Sequence, residues 1–135
     1  MKRTSITRKP FRRKTTPQMV GSTDFRAKFP HWPVGYQPEK DFQSSIEALA
    51  GHMGWMASHS HLPFFDTAGW PDLALVHPTK HRFLVRELKV TTKTGRVPSP
   101  NPLQWRWLTA LSEAGVDADV WTWPQDWDRA IRELS

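Results

Sequence analysis

The amino-acid sequence predicts an α/β domain whose elements run helix, three strands, helix, strand, helix, preceded by a basic, mostly disordered N-terminal arm. Three observations carry this expectation. Apolar residues recur at helical spacing in three stretches, each opened by proline or a capping residue. Between them lie apolar runs of strand length, two of which flank a short polar turn. Charge is also uneven: residues 1–38 hold nine Lys/Arg and one acid (Asp24), a net +8, while residues 39–135 hold ten Lys/Arg and twelve acids, a net −2.

Residues 1–37 are assigned to the arm. They lack apolar periodicity and are rich in Lys, Arg, Thr and Pro, a composition that buries too little apolar surface to fold alone. The stretch Phe29-Pro30-His31-Trp32-Pro33-Val34-Gly35-Tyr36 suits either an extended strap on the body or stacking on DNA. The body, residues 38–135, starts at Pro38, since proline fits a first helical turn. Phe42, Ile46, Leu49, Ala50 and Met53 then form one helical face, and Gly54 ends it. On this wheel Glu39 lies about 35° from the centre of the apolar stripe and Glu47 about 115° away. Glu39 is therefore expected to face inward and Glu47 to face water.

A first strand is expected over residues 55–61, followed by a loop to Gly69. Leu73-Ala74-Leu75-Val76, the turn 77–81 and the run 82–90 then read as a β-hairpin. Strand alternation puts Phe83, Val85, Glu87 and Lys89 on one face and Leu84, Arg86, Leu88 and Val90 on the other. After a polar loop, Asn101-Pro102-Leu103-Gln104 opens the next helix with an N-cap, a first-turn proline and a capping-box glutamine. Leu103, Trp107, Leu108, Leu111 and Ala114 form its expected inner face, with Gly115 as its stop. Residues 117–123 read as the last strand. Residues 124–134 read as a closing helix with Trp127, Ala130, Ile131 and Leu134 inside.

Composition narrows the function classes. No apolar run is long enough to cross a membrane. The absence of cysteine excludes disulfides, thiolate zinc sites and a cysteine nucleophile, and is compatible with a cytoplasmic setting. Eight tryptophans imply a core of large rings or a surface that stacks on bases. A basic arm on a mildly acidic body points to a polyanion, above all nucleic acid; a solvated tail is the plainer alternative. The cations expected to meet DNA phosphates are Lys2, Arg3, Arg8, Lys9, Arg12, Arg13 and Lys14 in the arm, with Lys93 and Arg96 in the loop after the hairpin.

The residues that carry chemistry are Pro71-Asp72 and, after fourteen intervening residues, Glu87-Leu88-Lys89. Glu87 and Lys89 project side by side from one strand, and Asp72 meets them across the hairpin. Phosphodiester hydrolysis needs charge neutralisation at the phosphate and an activated water, which a hard divalent cation supplies. Magnesium takes oxygen ligands and keeps several waters. Asp72, Glu87 and the backbone carbonyl of Leu88 fit that ligand set, and Lys89 fits a contact to the scissile phosphate or the attacking water. A surface salt bridge on a hairpin is the plainer alternative. For Glu39 that alternative is an acid complementing the helix dipole. For Gln104 it is a capping box without catalysis, the two roles being expected only in different rotamers. His59 and His61 share one strand face and could bind a metal, with ordinary strand histidines the plainer alternative and His61 a candidate for touching substrate at the site mouth.

These residues resemble a known family. Gly69-Trp70-Pro71-Asp72-Leu73, Glu87-Leu88-Lys89, Gln104-x-x-Trp107-Leu108 and Gly115 look like the virus-type replication–repair nuclease (VRR-NUC) domain of the PD-(D/E)xK superfamily. Glu39 with Gln43 resembles its first-helix acid and following glutamine, with Glu47 competing for that alignment. Val120-Trp121 through Pro124-x-Asp126-Trp127 is similar to the end of phage members. The resemblance spans about residues 38–134. It implies a restriction-endonuclease-like α-β-β-β-α-β core, Mg2+ or Mn2+ dependence and cleavage of DNA. It further implies metal binding by Asp72 and Glu87, catalysis by Lys89, and support from Glu39 and Gln104. A cytoplasmic protein of a bacterial or phage-infected cell follows from the same likeness.

The expected function is thus a metal-dependent DNA endonuclease selective for branched or nicked duplex, with a Holliday-junction resolvase as the leading form. Symmetric junction cutting needs two sites and hence a two-fold homodimer. Alternatives are a monomeric flap or nicking nuclease, a catalytically inactive DNA-binding accessory protein, and an RNA-binding module.

Overall fold

The computed structural model describes residues 32–59 and 67–135. The elements are α1 (Glu39–His52), β1 (Met56–His59), β2 (Leu73–His77), β3 (Arg82–Val90), α2 (Pro102–Glu113), β4 (Asp117–Trp123) and α3 (Trp127–Leu134). The fold is α/β, with a four-stranded mixed sheet ordered β1-β2-β3-β4 and three helices among the described residues. The first two strand pairs are antiparallel and β3–β4 is parallel. A parallel pair needs a crossover, and α2 is that crossover.

β3 is paired on both sides and its two faces differ. Leu84 and Leu88 join Leu73, Leu75, Trp121 and Trp123 in the main core, against Phe42, Ile46, Leu49 and Ala50 of α1 and Trp127, Ala130, Ile131 and Leu134 of α3. Both helices bury the stripes that their spacing predicts. The alternate residues Val85 and Glu87 point to the opposite face, where Gln104 of α2 reaches Glu87. The carboxylate-bearing face is thus sealed by one helix and the apolar face by two.

Several boundaries and faces differ from expectation. β1 is shorter at its start because Trp55 drops into the core, its indole N–H donating to the Leu134 carbonyl at 2.8 Å. The closing helix starts at Trp127. Residues 124–126 turn instead, with the Trp127 N–H on the Pro124 carbonyl (3.2 Å) and the Asp126 carboxylate accepting from the Thr122 N–H (2.8 Å). On α2 only Leu108 is buried, while Trp107 and Leu111 are half-buried and Leu103 and Ala114 are exposed. A single helix crossing one side of the sheet needs a narrower apolar stripe than five residues. Phe83 is exposed together with its cross-strand neighbour Val76 and with Met56, which pairs with Val76.

Residues 32–37, assigned to the arm from sequence, pack on the body. Trp32 meets Trp127 edge-on (centroids 5.6 Å), and Pro33 is buried. The Gly35 carbonyl accepts from the Trp123 indole at 2.8 Å, and the Lys93 ammonium sits 5.1 Å from the Tyr36 ring. The strap reading therefore applies to this stretch. The arm cations Lys2, Arg3, Arg8, Lys9, Arg12, Arg13 and Lys14, and His61, lie outside the described residues.

Arg86 shares the apolar face of β3 as alternation requires, at 1 % exposure. It is tolerated there because its guanidinium donates to the carbonyls of Val85 (3.0 Å) and Asp117 (2.7 Å) and to the carboxylates of Asp117 (3.0 Å) and Glu133 (3.1 Å). It also stacks 4.9 Å from the Trp121 ring. Removing a buried charge from such a set leaves its acceptors unpaired, a loss of about 3 kcal/mol. Arg86→Ala is therefore expected to lower the urea midpoint strongly without changing the denaturant slope, as read by far-UV circular dichroism.

Candidate active site

The site is assembled where the start of β2 passes the end of β3. Gly69 leads in with φ +85°, and a Cβ there would come within 2.6 Å of the Leu103 backbone. Only glycine allows both the left-handed turn and this approach, so the segment 69–71 is pressed onto the first turn of α2. Asp72 follows, and its Oδ2 accepts the Leu88 N–H at 2.8 Å. β2 and β3 pair Leu73 with Arg86 and Leu75 with Leu84, so continuing that register sets Pro71 opposite Leu88. Proline has no N–H to offer the ladder. The N–H and C=O of a strand residue face the same neighbour, so the Leu88 carbonyl points to the Asp72 edge and has no ladder donor from Pro71.

Glu87 lies on the α2 face at 1 % exposure. Its Oε2 accepts from the Gln104 side-chain amide at 2.8 Å and from Lys89 Nζ at 3.3 Å. Its Oε1 is buried. Gln104 also completes the capping box: its Oε1 accepts from the Asn101 N–H (2.8 Å), and Asn101 Oδ1 accepts from the Gln104 N–H (2.9 Å). The expectation of alternative rotamers is corrected. Capping uses the amide oxygen and the Glu87 contact uses the amide nitrogen, so one rotamer serves both.

The electrostatics are those of crowded acids. Burial, then the charge of Asp72, pushes the Glu87 carboxyl up to about 8, against the opposing pull of Lys89. Burial also raises the Asp72 carboxyl, offset in part by the Leu88 N–H. Glu39 is raised as well, by loss of surrounding water first and by Asp72 second. Asp72 and Glu87 are also side-chain hydrogen-bond partners, which raises Glu87 and lowers Asp72. Two acids this close make a donor set suited to a hard cation.

Glu39, the first residue of α1, is exposed by surface area, yet loss of surrounding water and the charges of Asp72 and Lys89 act on it, so it lies on the side of the site. Among the described residues, however, no three His, Asp or Glu side chains stand together as an ion-holding cluster. Glu47 does not simply face water. Its carboxylate lies 2.6 Å from His59 Nδ1 on β1 and 3.5 Å from the Gln43 amide. The helical wheel located the main core but could not foresee that β1 brings a histidine beside this flank. Lys93 and Arg96 are exposed on the loop after β3.

Sequence reasoning missed two neighbours. Thr122, nearly buried, pairs in register with Lys89 and shares its face. Trp70, two residues before Asp72, meets Trp107 of α2 at 5.0 Å in a T-shaped contact. The parallel register of β4 with β3 would have placed Thr122; nothing local in sequence does so. Comparisons with protein-family models, curated proteins and solved structures give no match to this chain.

The Glu87 shift sets a pH dependence. Its folded-state pKa stands above the ordinary 4.5, so the folded chain keeps a proton that the unfolded chain has released between about pH 4.5 and 8. The destabilisation is absent below that window and complete above it, and the raised Asp72 carboxyl acts with the same sign. Without divalent ions, the urea midpoint is expected to fall as pH rises from 5 to 8, whereas Glu87→Gln should flatten that decline.

Proposed function

We propose that the chain is a metal-dependent DNA endonuclease with a PD-(D/E)xK core of VRR-NUC type, hydrolysing phosphodiester bonds in branched or nicked duplex during replication, recombination or repair. The observation that carries this reading is the buried Glu87 carboxyl, pushed up to about 8 and set against Asp72, Lys89 and Gln104. A salt bridge built for stability alone would not set a second acid against a buried one.

Asp72, Glu87 and the Leu88 carbonyl would hold Mg2+ or Mn2+, which supplies charge neutralisation at the phosphate and acidifies water for attack. The chain itself does the positioning. The Leu88 N–H fixes Asp72, and the Gln104 amide fixes the Glu87 rotamer. Lys89, with 14 % of its side chain exposed, reaches solvent from a walled position. Its ammonium can donate to a phosphate oxygen or hold the incoming water in line. Exposed Lys93 and Arg96, with the arm cations, supply phosphate contacts and a steep salt dependence. Cutting both strands of a four-way junction would require a homodimer with two such sites.

The test is cleavage of junction, nicked and linear DNA with Mg2+ or Mn2+. Asp72→Ala and Lys89→Ala are each expected to lower the cleavage rate by about a hundredfold or more, the scale for losing a positioned charge in such a site. Full activity in either variant would reject the assignment. A second variant separates the two roles of Gln104. Gln104→Glu keeps an oxygen for the Asn101 N–H but sets a second acid against Glu87. It is expected to leave helix content unchanged and to reduce cleavage about tenfold or more.

A further inference from the structure

The eight tryptophans divide sharply by location. Trp55, Trp121, Trp123 and Trp127 are in the core, Trp32 and Trp107 are half-buried, and Trp70 and Trp105 are exposed. Four core rings explain half of the tryptophan excess. The exposed Trp70 has a different setting. It is 38 % exposed, immediately precedes Pro71-Asp72, and is held against Trp107 at 5.0 Å with the ring planes 76° apart. Its backbone is fixed because Gly69 is pressed onto Leu103. Leu103, also exposed, lies one helical turn before Trp107 on the same flank of α2. Trp105 projects from the other flank, about 100° round the helix from Gln104. The result is one braced, partly open indole beside the carboxylates, with an apolar shelf next to it.

The charge around this indole says what it meets. Residues 91–112 contain Lys93, Arg96 and Arg106 and no Asp or Glu, and residues 67–71 carry no charge. The cation at the site itself is Lys89, on the face of Glu87 with 14 % of its side chain exposed. An apolar peptide would leave the Lys89 ammonium unmatched, whereas a phosphate-linked base offers a ring to Trp70 and an anion to Lys89. A base inside a continuous duplex is stacked on its neighbours and has no free face to offer an indole.

We propose that Trp70 stacks on an unpaired base next to the scissile phosphate, so that the site selects DNA with unpaired nucleotides over continuous duplex. This deepens the nuclease reading and rests on it for the position of the phosphate. The indole is rigid before binding, so little ordering is needed when a base arrives. The neighbouring Trp107 holds its angle, and Leu103 widens the apolar surface that the base covers.

The test compares Trp70→Leu, Trp70→Phe and the unaltered protein on a fluorescein-labelled duplex and on the same duplex carrying a short single-stranded flap. Binding is measured in EDTA by fluorescence anisotropy, and cleavage separately in Mn2+. Leucine keeps apolar volume against Trp107 but has no ring; phenylalanine restores a smaller ring. Stacking predicts that Trp70→Leu reduces the flap-over-duplex binding ratio about tenfold, with phenylalanine recovering most of it. An unchanged ratio, or an equal loss on both DNAs, overturns the proposal. So does a molar mass in solution that falls in Trp70→Leu while the ratio holds, which would assign the shelf to a second copy. If the unaltered protein binds with this ratio yet cuts nothing in Mn2+, the stacking role stands and the nuclease reading fails.

Discussion

A carboxylate held at 1 % exposure in the middle of a sheet is the constraint around which this protein is arranged. Glu87 occupies a strand whose neighbours Leu84, Val85 and Leu88 are all buried, so it cannot turn to solvent without reversing the strand. Its environment must therefore supply what water does not. Lys89 offers a charge from the same face, and Gln104 offers a neutral donor from the helix above. Asp72 raises the Glu87 carboxyl both by its charge and as a side-chain hydrogen-bond partner. An arrangement that keeps two acids together at this depth is costly for folding alone. It is the usual mark of a site whose stabilising partner is a ligand.

The fold was legible where one period governed an entire element. α1 and α3 each lie across the sheet with a single buried stripe, and Phe42, Ile46, Leu49 and Ala50, like Trp127, Ala130, Ile131 and Leu134, could be read from spacing. β3 and β4 matched residue for residue because polar turns bracket them. α2 was harder. It covers the sheet alone, so its buried surface narrows to Leu108, and the other apolar residues stand at its flanks. The strap was ambiguous for a related reason. Its rings have no periodicity, and only the indoles of Trp123 and Trp127 decide that residues 32–36 dock.

Within the site, the trio of Asp72, Glu87 and Lys89 was visible because a hairpin is local and strand alternation is strict. The supporting contacts were less visible. A helical wheel gives the direction of Glu39 but not how much of it the first turn leaves open to solvent. Glu47 was assigned to water because its partner, His59, belongs to another element. Gln104 was split between two roles because a sequence letter does not show that an amide has two ends.

The spacing of these contacts along the chain also bears on the order in which they form. Asp72 and Leu88 are sixteen positions apart and Glu87 and Gln104 seventeen, whereas β3 meets β4 at an offset of thirty-three. Short loops close at lower entropic cost than long ones. During synthesis the hairpin emerges ahead of β4. The two acids can therefore become neighbours while hydrated, and the sheet closes over them afterwards. The acids thus meet through short loops, and the helix and strand that bury them are added from further along the chain.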